Sequence, residues 1–156
     1  MARHVDKSIE IAAALCRKFE GFSAKPYLCP AGYWTIGFGT VFKPDGTQVT
    51  KDDPPITKEL AEEWLQHELR HNYLAGVLHA SPLLVRFPQA LGAITDFAYN
   101  LGVARYRAST LKKRINEEDW DGARTELAKW IRGGGRILRG LVKRRQAEAE
   151  YLNGVS

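Results

Sequence analysis

Residues 18–40 read KFEGFSAKPYLCPAGYWTIGFGT and hold the side chains best suited to chemistry: the carboxyl of Glu20, the thiol of Cys29 and the hydroxyl of Thr35. Eight residues separate Glu20 from Cys29, and five separate Cys29 from Thr35. Glu20 falls at the end of a helical pattern, before Gly21, with Phe19, Phe22 and Tyr27 nearby in sequence. A carboxyl in apolar company holds its proton closer to neutral pH, because desolvation disfavours the charged form. A general acid needs that property. The competing reading is an exposed glutamate at a helix end. Taken singly, Cys29 beside Pro30 reads as a small buried hydrophobe, and Thr35 as a strand threonine.

His67 and His71 stand at i, i+4, a spacing that can hold a metal. No third ligand is evident, and Glu68 between them is misplaced for a metalloprotease helix. A solvated helix surface is the expected role, with no metal and no cofactor. The chain carries no GxxxxGK[ST], no GxGxxG between strand and helix, no HExxH and no GxSxG.

The elements that must position these groups follow from periodicity. Ile9, Ala12, Ala13, Leu15, Cys16 and Phe19 recur at spacings of three and four, which predicts a helix over 6–19 with Asp6 as its N-cap. Residues 21–56 change character: glycines punctuate short aromatic and β-branched runs, and Asp45-Gly46 and Pro30-Ala31-Gly32 read as turns. Two or three antiparallel strands are expected there, too few to be stable without helices. Thr57 caps a long helix over about 58–79 with the stripe Leu60, Ala61, Trp64, Leu65, Leu69, Tyr73, Val77 and Leu78. Pro82 and Pro88 open further helices, the second an apolar one over 89–101. Ser109 or Thr110 caps a short helix, and Asp119 precedes another. Gly133-Gly134-Gly135 breaks the pattern before a final helix over 140–152, with Leu141, Val142, Tyr151 and Leu152 turned inward. Strands segregated from helices argue an α+β fold. One domain over 1–156 is expected, with a β-lobe over about 21–56 and a helical lobe over about 57–156 plus the first helix. The cleft between lobes is the default place for a ligand.

Length and composition bound the function. At 156 residues, with 44% hydrophobic and 26% charged residues, the chain can bury a core without staples. Two cysteines are too few for a disulfide framework or a four-ligand zinc site. No stretch reaches the ~20 apolar residues of a membrane span, and no signal peptide is evident at the start. The net charge of +5 suits an anionic partner such as nucleic acid, a membrane surface or a wall polymer. Basic groups crowd at Lys129, Arg132, Arg136, Arg139, Lys143, Arg144 and Arg145. A solvated helix face beside a glycine loop accounts for them equally well.

Taken together, Glu20, Cys29 and Thr35, with Ile36-Gly37-Phe38-Gly39 following, resemble the catalytic signature of the phage-type lysozymes, the endolysins that cut bacterial peptidoglycan. The second position is aspartate in some members and cysteine in others; the third is threonine. FEGF, KPYLCPAG and WTIGFG fit as well, and the resemblance continues in order through FAYNLG, STLKKRIN and GLVKRRQAEAE. It implies a lysozyme-like fold and hydrolysis of the β-1,4 bond between N-acetylmuramic acid and N-acetylglucosamine, with inversion. By that resemblance Glu20 is the proton donor, Cys29 helps hold or activate water, and Thr35 orients the same water. An arginine of the helical lobe pairs with the acid, Arg144 or Arg145. Tyr99, Asn100 and Thr110 line the cleft, although a buried capping role competes for Asn100. Thr40 stands where members often have a structural histidine, which puts a stabilising pair in question and leaves the chemistry intact.

Some related endolysins switch by active-site cysteine pairing, but free thiols are expected for Cys16 and Cys29. The resemblance also implies a monomer that waits in the host cytoplasm until a holin-type pore releases it to the wall, causing host lysis. The basic final helix is expected to touch an anionic outer membrane. Two alternatives remain open at this level: a lytic transglycosylase or chitin-cutting enzyme of the same fold, and a basic nucleic-acid-binding module. No recognition helix or RNA-binding motif favours the latter, so no nucleic-acid partner is expected.

Overall fold

The computed structural model describes residues 2–155. Helix α1 spans Ala2–Glu20 and stops at Gly21, whose φ of +73° is a left-handed conformation suited to a residue without Cβ. The helix therefore begins earlier than the sequence predicts. Asp6 lies within it and accepts a hydrogen bond from Arg70 instead of capping the end. Strands β1 (Ser23–Leu28) and β2 (Trp34–Gly37) pair antiparallel, with Tyr27 opposite Thr35. Single bridges, Ile36 with Thr40 and Phe42 with Gln48, extend this small lobe.

A long helical run follows as α2 (Lys58–Glu68), a π-helical stretch over Leu69–Leu74, and α3 (Ala75–Ala80). Thr57 caps α2 through Leu60 N, as expected. The wide turn was not expected. It keeps Leu69 and Leu74, five apart, both in the core, while Tyr73 is only half-buried and meets Tyr99 edge-on at 5.0 Å. A short 3₁₀ turn over Pro82–Arg86 leads to α4 (Pro88–Leu101), then α5 (Val103–Arg107), α6 (Thr110–Asn116) and α7 (Trp120–Leu127). Ser109 caps α6 and Asp119 caps α7. The glycine run is not a plain break: β3 (Arg132–Gly133) and β4 (Arg136–Ile137) form a tiny hairpin. Helix α8 (Arg139–Glu150) closes the fold. The larger antiparallel pair, β1 with β2, stands apart from the helices in sequence and makes the class α+β, as the sequence indicates.

The crossing of α1 on α4 places the site. A Cβ at Gly92 would lie 2.7 Å from Ile11 and 2.8 Å from the Ser8 carbonyl, so only glycine permits this approach. Ser8 also donates to the Pro88 carbonyl. Around this contact Ile9, Ala12, Ala13, Leu91, Ile94, Phe97 and Ala98 form part of one contiguous core. Helix α8 departs most from expectation. Leu141 and Val142 are only half-buried, whereas Arg144, Arg145 and Glu148 are the buried residues of this helix. Leu152 beyond its end is buried as predicted.

Thr40 is fully buried, and its hydroxyl donates to Glu68, another buried residue. Burial raises the Glu68 carboxyl to about 7, against the opposing pull of the Thr40 hydroxyl. The native state therefore keeps this proton in a range where the unfolded chain has lost it. Stability falls as pH rises from the unfolded value near 4.3 to the folded one, and levels off above. Glu68→Gln should remove this slope, which amounts to roughly 3 kcal/mol. Thermal midpoints of both proteins at pH 5 and pH 8 measure it; parallel declines would show that Glu68 is not the group responsible.

Candidate active site

Glu20 ends α1 at the junction with the β-lobe, and its side chain is 23% exposed. Two adjoining hollows meet at Glu20 and Asn100. One, about 360 Å³, is lined by Glu20, Tyr27, Cys29, Thr35, Tyr99 and Asn100 among others. The second, about 390 Å³, runs past Phe19, Leu138, Leu141 and Arg144. The fold thus gathers the carboxyl, thiol and hydroxyl from a helix end, a turn and a strand into one concavity. Among the residues lining the first hollow, Glu20 is the only carboxylate.

The surroundings of Glu20 differ from the apolar company suggested by its sequence neighbours. Arg144 donates from Nη1 to Glu20 Oε2 at 2.8 Å. The same guanidinium grips Asp96 with both remaining nitrogens, Nε to Oδ2 at 2.9 Å and Nη2 to Oδ1 at 2.7 Å. Such a two-point grip fixes the plane of the guanidinium and hence the direction of its third contact. On the other side, Glu20 Oε1 would lie 3.3 Å from a Cβ at Gly39, and Tyr99 Oη 3.1 Å from it. Gly39 has φ +93°, so both its conformation and its missing side chain make room for the acid.

Cys29 begins the turn before β2; its N–H donates to the Tyr33 carbonyl. It is half-buried and lines the hollow, which corrects its reading as a small buried hydrophobe. A backbone hydrogen bond from Tyr33, with the Thr35 side chain and the Ala31 and Gly32 backbone adding to it, holds its thiol below the usual range despite some desolvation. Thr35 is buried and donates to the Tyr33 carbonyl at 3.0 Å. Cys16 is buried against Asp96, to which its thiol donates, and both cysteines are free.

The other expected site residues separate. Tyr99 lines the hollow, but its hydroxyl is committed to the Phe38 carbonyl at 2.7 Å, which ties α4 to the β-lobe. Asn100 lines both hollows and accepts from Arg145 at 2.7 Å. Arg145 makes its hydrogen bonds to Asn100 and Glu148, not to Glu20. Thr110, at the start of α6, lines neither hollow at Glu20. It borders a different one of about 510 Å³ with Arg107, Lys112 and Lys113, which lacks the acid–thiol–hydroxyl set. The buried Arg144 and Arg145 also correct the picture of a solvated basic face at these two positions. His67 and His71 are exposed, with ring centroids 4.5 Å apart. No group of three potential metal ligands occurs among the described residues.

Asp96 and Glu148 are absent from the sequence reading. A signal existed for Asp96: it is the one ionisable residue in the apolar stretch Ala90–Ala98, where an unpaired charge is too costly to bury. Glu148 carries no such mark in a strongly charged helix.

Residues 17–148 match the family described as phage lysozyme. An endolysin of Acyrthosiphon pisum secondary endosymbiont phage 1 is 32% identical over 143 residues, covering 89% of this chain and 92% of that protein. An endolysin of Bacillus phage B103 is 33% identical over 91% of this chain, which spans 52% of that protein's length. Among solved structures, the endolysin from Escherichia coli O157:H7 phage FAHEc1 aligns with a TM-score of 0.79 and 27% identity, covering 94% of this chain and 92% of that one.

Proposed function

The chain belongs to the phage lysozyme family, and on that premise we propose that Glu20 protonates the leaving oxygen of a peptidoglycan glycoside while Cys29 and Thr35 position the attacking water. The protein is an endolysin, a glycoside hydrolase of the muramidase type that acts on bacterial peptidoglycan. The comparisons support neither a transglycosylase nor a nucleic-acid-binding module.

One observation favours direct attack by water at the bond between N-acetylmuramic acid and N-acetylglucosamine. The hollow that holds Glu20 has no second carboxylate among its lining residues, and its lining also offers a thiol and a hydroxyl. A retaining glycosidase uses a second carboxyl as nucleophile, whereas an inverting one uses a second group only to activate a held water, a place that the Cys29 thiol and Thr35 hydroxyl take in this reading. Thr35 already donates to a carbonyl, so its oxygen lone pairs face the task of accepting from that water. Cys29 helps hold or activate the water as thiol or thiolate, the latter favoured by the hydrogen bonds around its sulfur. Arg144 keeps Glu20 aimed at the leaving oxygen. Asn100, and Tyr99 through its ring, contribute the wall against which an N-acetyl sugar lies.

The released fragments decide the reaction. Hydrolysis adds one water to each cut and leaves a reducing end; a transglycosylase leaves an anhydro sugar lighter by that water. Mass spectra dominated by the anhydro product would overturn the proposal. Cys29→Ser should slow turbidity loss of outer-membrane-stripped cells by roughly 10–100-fold; an unchanged rate would leave Cys29 without a chemical role.

Further proposals concern partners. We propose a protein held in the host cytoplasm until a holin-type pore opens the way to the wall, and active as a monomer. No helix among the described residues is long and apolar enough to cross a membrane. An anionic membrane surface is the second partner, but its contact shifts from the final helix to the β3–β4 hairpin. Ile137 is 57% and Leu138 39% exposed there, among exposed Arg132, Arg136 and Arg139. Apolar side chains ringed by cations suit an interface with acidic lipid. Co-sedimentation with anionic vesicles should weaken for Ile137→Ser; equal binding would remove this role.

A further inference from the structure

Asn100 sits at the seam of the groove: with Glu20 it is one of the two residues that line both hollows. It stands one residue before the end of α4 but does not cap the helix, which the Gly102 N–H closes on the Ala98 carbonyl. Its side-chain carbonyl accepts instead from Arg145 Nη2 at 2.7 Å. Arg145 is 1% exposed and lines neither hollow, so it reaches Asn100 from the buried interior.

Arg145 is itself held. Glu148, fully buried on the same helix, lies along the guanidinium: Nη2 donates to Oε2 at 3.1 Å, and Nε is 2.7 Å from Oε1, though without hydrogen-bond alignment. The guanidinium rests over the Phe97 ring at 5.0 Å. Nη1 is buried with no hydrogen bond, so Glu148 and Asn100 supply the acceptors of this cation among the described residues.

An arginine carries donors only, so the end of the Asn100 amide that meets it is the oxygen. That settles which end is which, a choice that only the hydrogen-bond network can make. The amide nitrogen makes no hydrogen bond among the described residues, and its N–H groups are left for an occupant of the groove. Sugar hydroxyls both give and take hydrogen bonds and do not discriminate. An acetamido carbonyl only accepts, whereas the ammonium left by N-deacetylation only donates. A fixed N–H donor favours the first and opposes the second.

We propose that Arg145 is a positioning residue for substrate selection: it clamps the Asn100 carbonyl, so that the amide nitrogen stands in the groove as a fixed donor to the acetamido carbonyl of a sugar beside the scissile bond. Arg145 touches no substrate; it acts through Asn100, as Arg144 acts through Glu20.

The inference rests on the hollow at Glu20 being the substrate groove, so one arm of its test needs no turnover. Nitrogen relaxation of the Asn100 side-chain amide in wild type should give an order parameter near the ~0.85 of rigid backbone; a value below about 0.6, that of a mobile group, overturns the clamp. The kinetic arm compares kcat/KM on peptidoglycan with kcat/KM on the same material after N-deacetylation, as a ratio within each variant, so that effects common to both substrates cancel. Asn100→Ala should lower the wild-type preference for acetylated material by about 5–10-fold. Asn100→Asp still accepts from Arg145 but has no N–H and attracts the ammonium, so it should lower the preference at least as far. Arg145→Met combined with Glu148→Met removes the ion pair from both ends, a change that buried sites often tolerate. It should lower the preference by at least about threefold, because the amide is then free to turn. An unchanged ratio in Asn100→Ala overturns the contact, and a full wild-type ratio in the double variant overturns the positioning. Should the double variant not fold, the order parameter and Asn100→Asp still decide. Wild-type protein that shows the rigid amide but cleaves neither material would instead indict the assignment of Glu20.

Discussion

Glu20→Gln should lower peptidoglycan hydrolysis by ~10²–10⁴-fold, the range that loss of a general acid produces, while the protein stays folded. The amide keeps the shape of the carboxyl and still accepts from Arg144, but it has no proton to give to the leaving oxygen. The side chain is 23% exposed at the mouth of the groove, so replacing its charge disturbs little packing. Turbidity loss of outer-membrane-stripped cells measures the rate, and circular dichroism the fold. A variant that is folded and retains more than about a tenth of the rate would remove Glu20 from the chemistry. No other side chain in the hollow can take its place, because Cys29, Thr35, Tyr99 and Asn100 are all far weaker acids than a carboxyl.

Arg144→Met should damage stability and activity together. Arg144 is buried, with one face of its guanidinium on Asp96 and the remaining nitrogen on Glu20. Methionine fills much of the space but leaves Asp96 as a buried carboxylate without its main partner. Breaking a buried pair on one side costs about 3–5 kcal/mol, and urea unfolding reads this directly. Catalysis falls as well, since nothing then aims the acid. Arg144→Lys is the informative comparison: it retains the charge but loses the fork that grips Asp96 at two points. It should recover much of the stability and little of the rate. Full activity in Arg144→Lys would mean that charge alone, not the fixed plane of the guanidinium, serves Glu20. An unchanged unfolding midpoint in Arg144→Met would show that Asp96 finds other partners.

Both effects stem from one arrangement. The close α1–α4 crossing at Gly92 packs the helices that carry Glu20 and Asp96, and α8 delivers Arg144 to bond both carboxyls. The β-lobe brings Cys29 and Thr35 to the hollow that Glu20 lines, and the bond from Tyr99 to Phe38 ties that lobe to α4. Even the Thr40–Glu68 contact belongs to this scheme, since it fastens the turn after β2 to helix α2.

Much of this was written locally and so could be read from the chain alone. Helix caps at Thr57, Ser109 and Asp119 depend on a few adjacent residues. The strands follow from aromatic and β-branched runs between glycines, and the spacing of Glu20, Cys29 and Thr35 carried the resemblance to a family. Tertiary structure decided what local patterns cannot hold. Arg144 and Arg145 are adjacent and alike in sequence, yet one meets Glu20 and the other Asn100, because successive residues on a helix point about 100° apart and only packing fixes which direction is inward. Asp6, read as a cap, became a mid-helix partner of Arg70 once α1 extended past it. Thr110, grouped with the cleft by resemblance, opens onto another hollow. Asp96 gains its meaning from Arg144, across 48 positions of chain, because the cost of burying charge depends on what lies beside it in space rather than along the sequence.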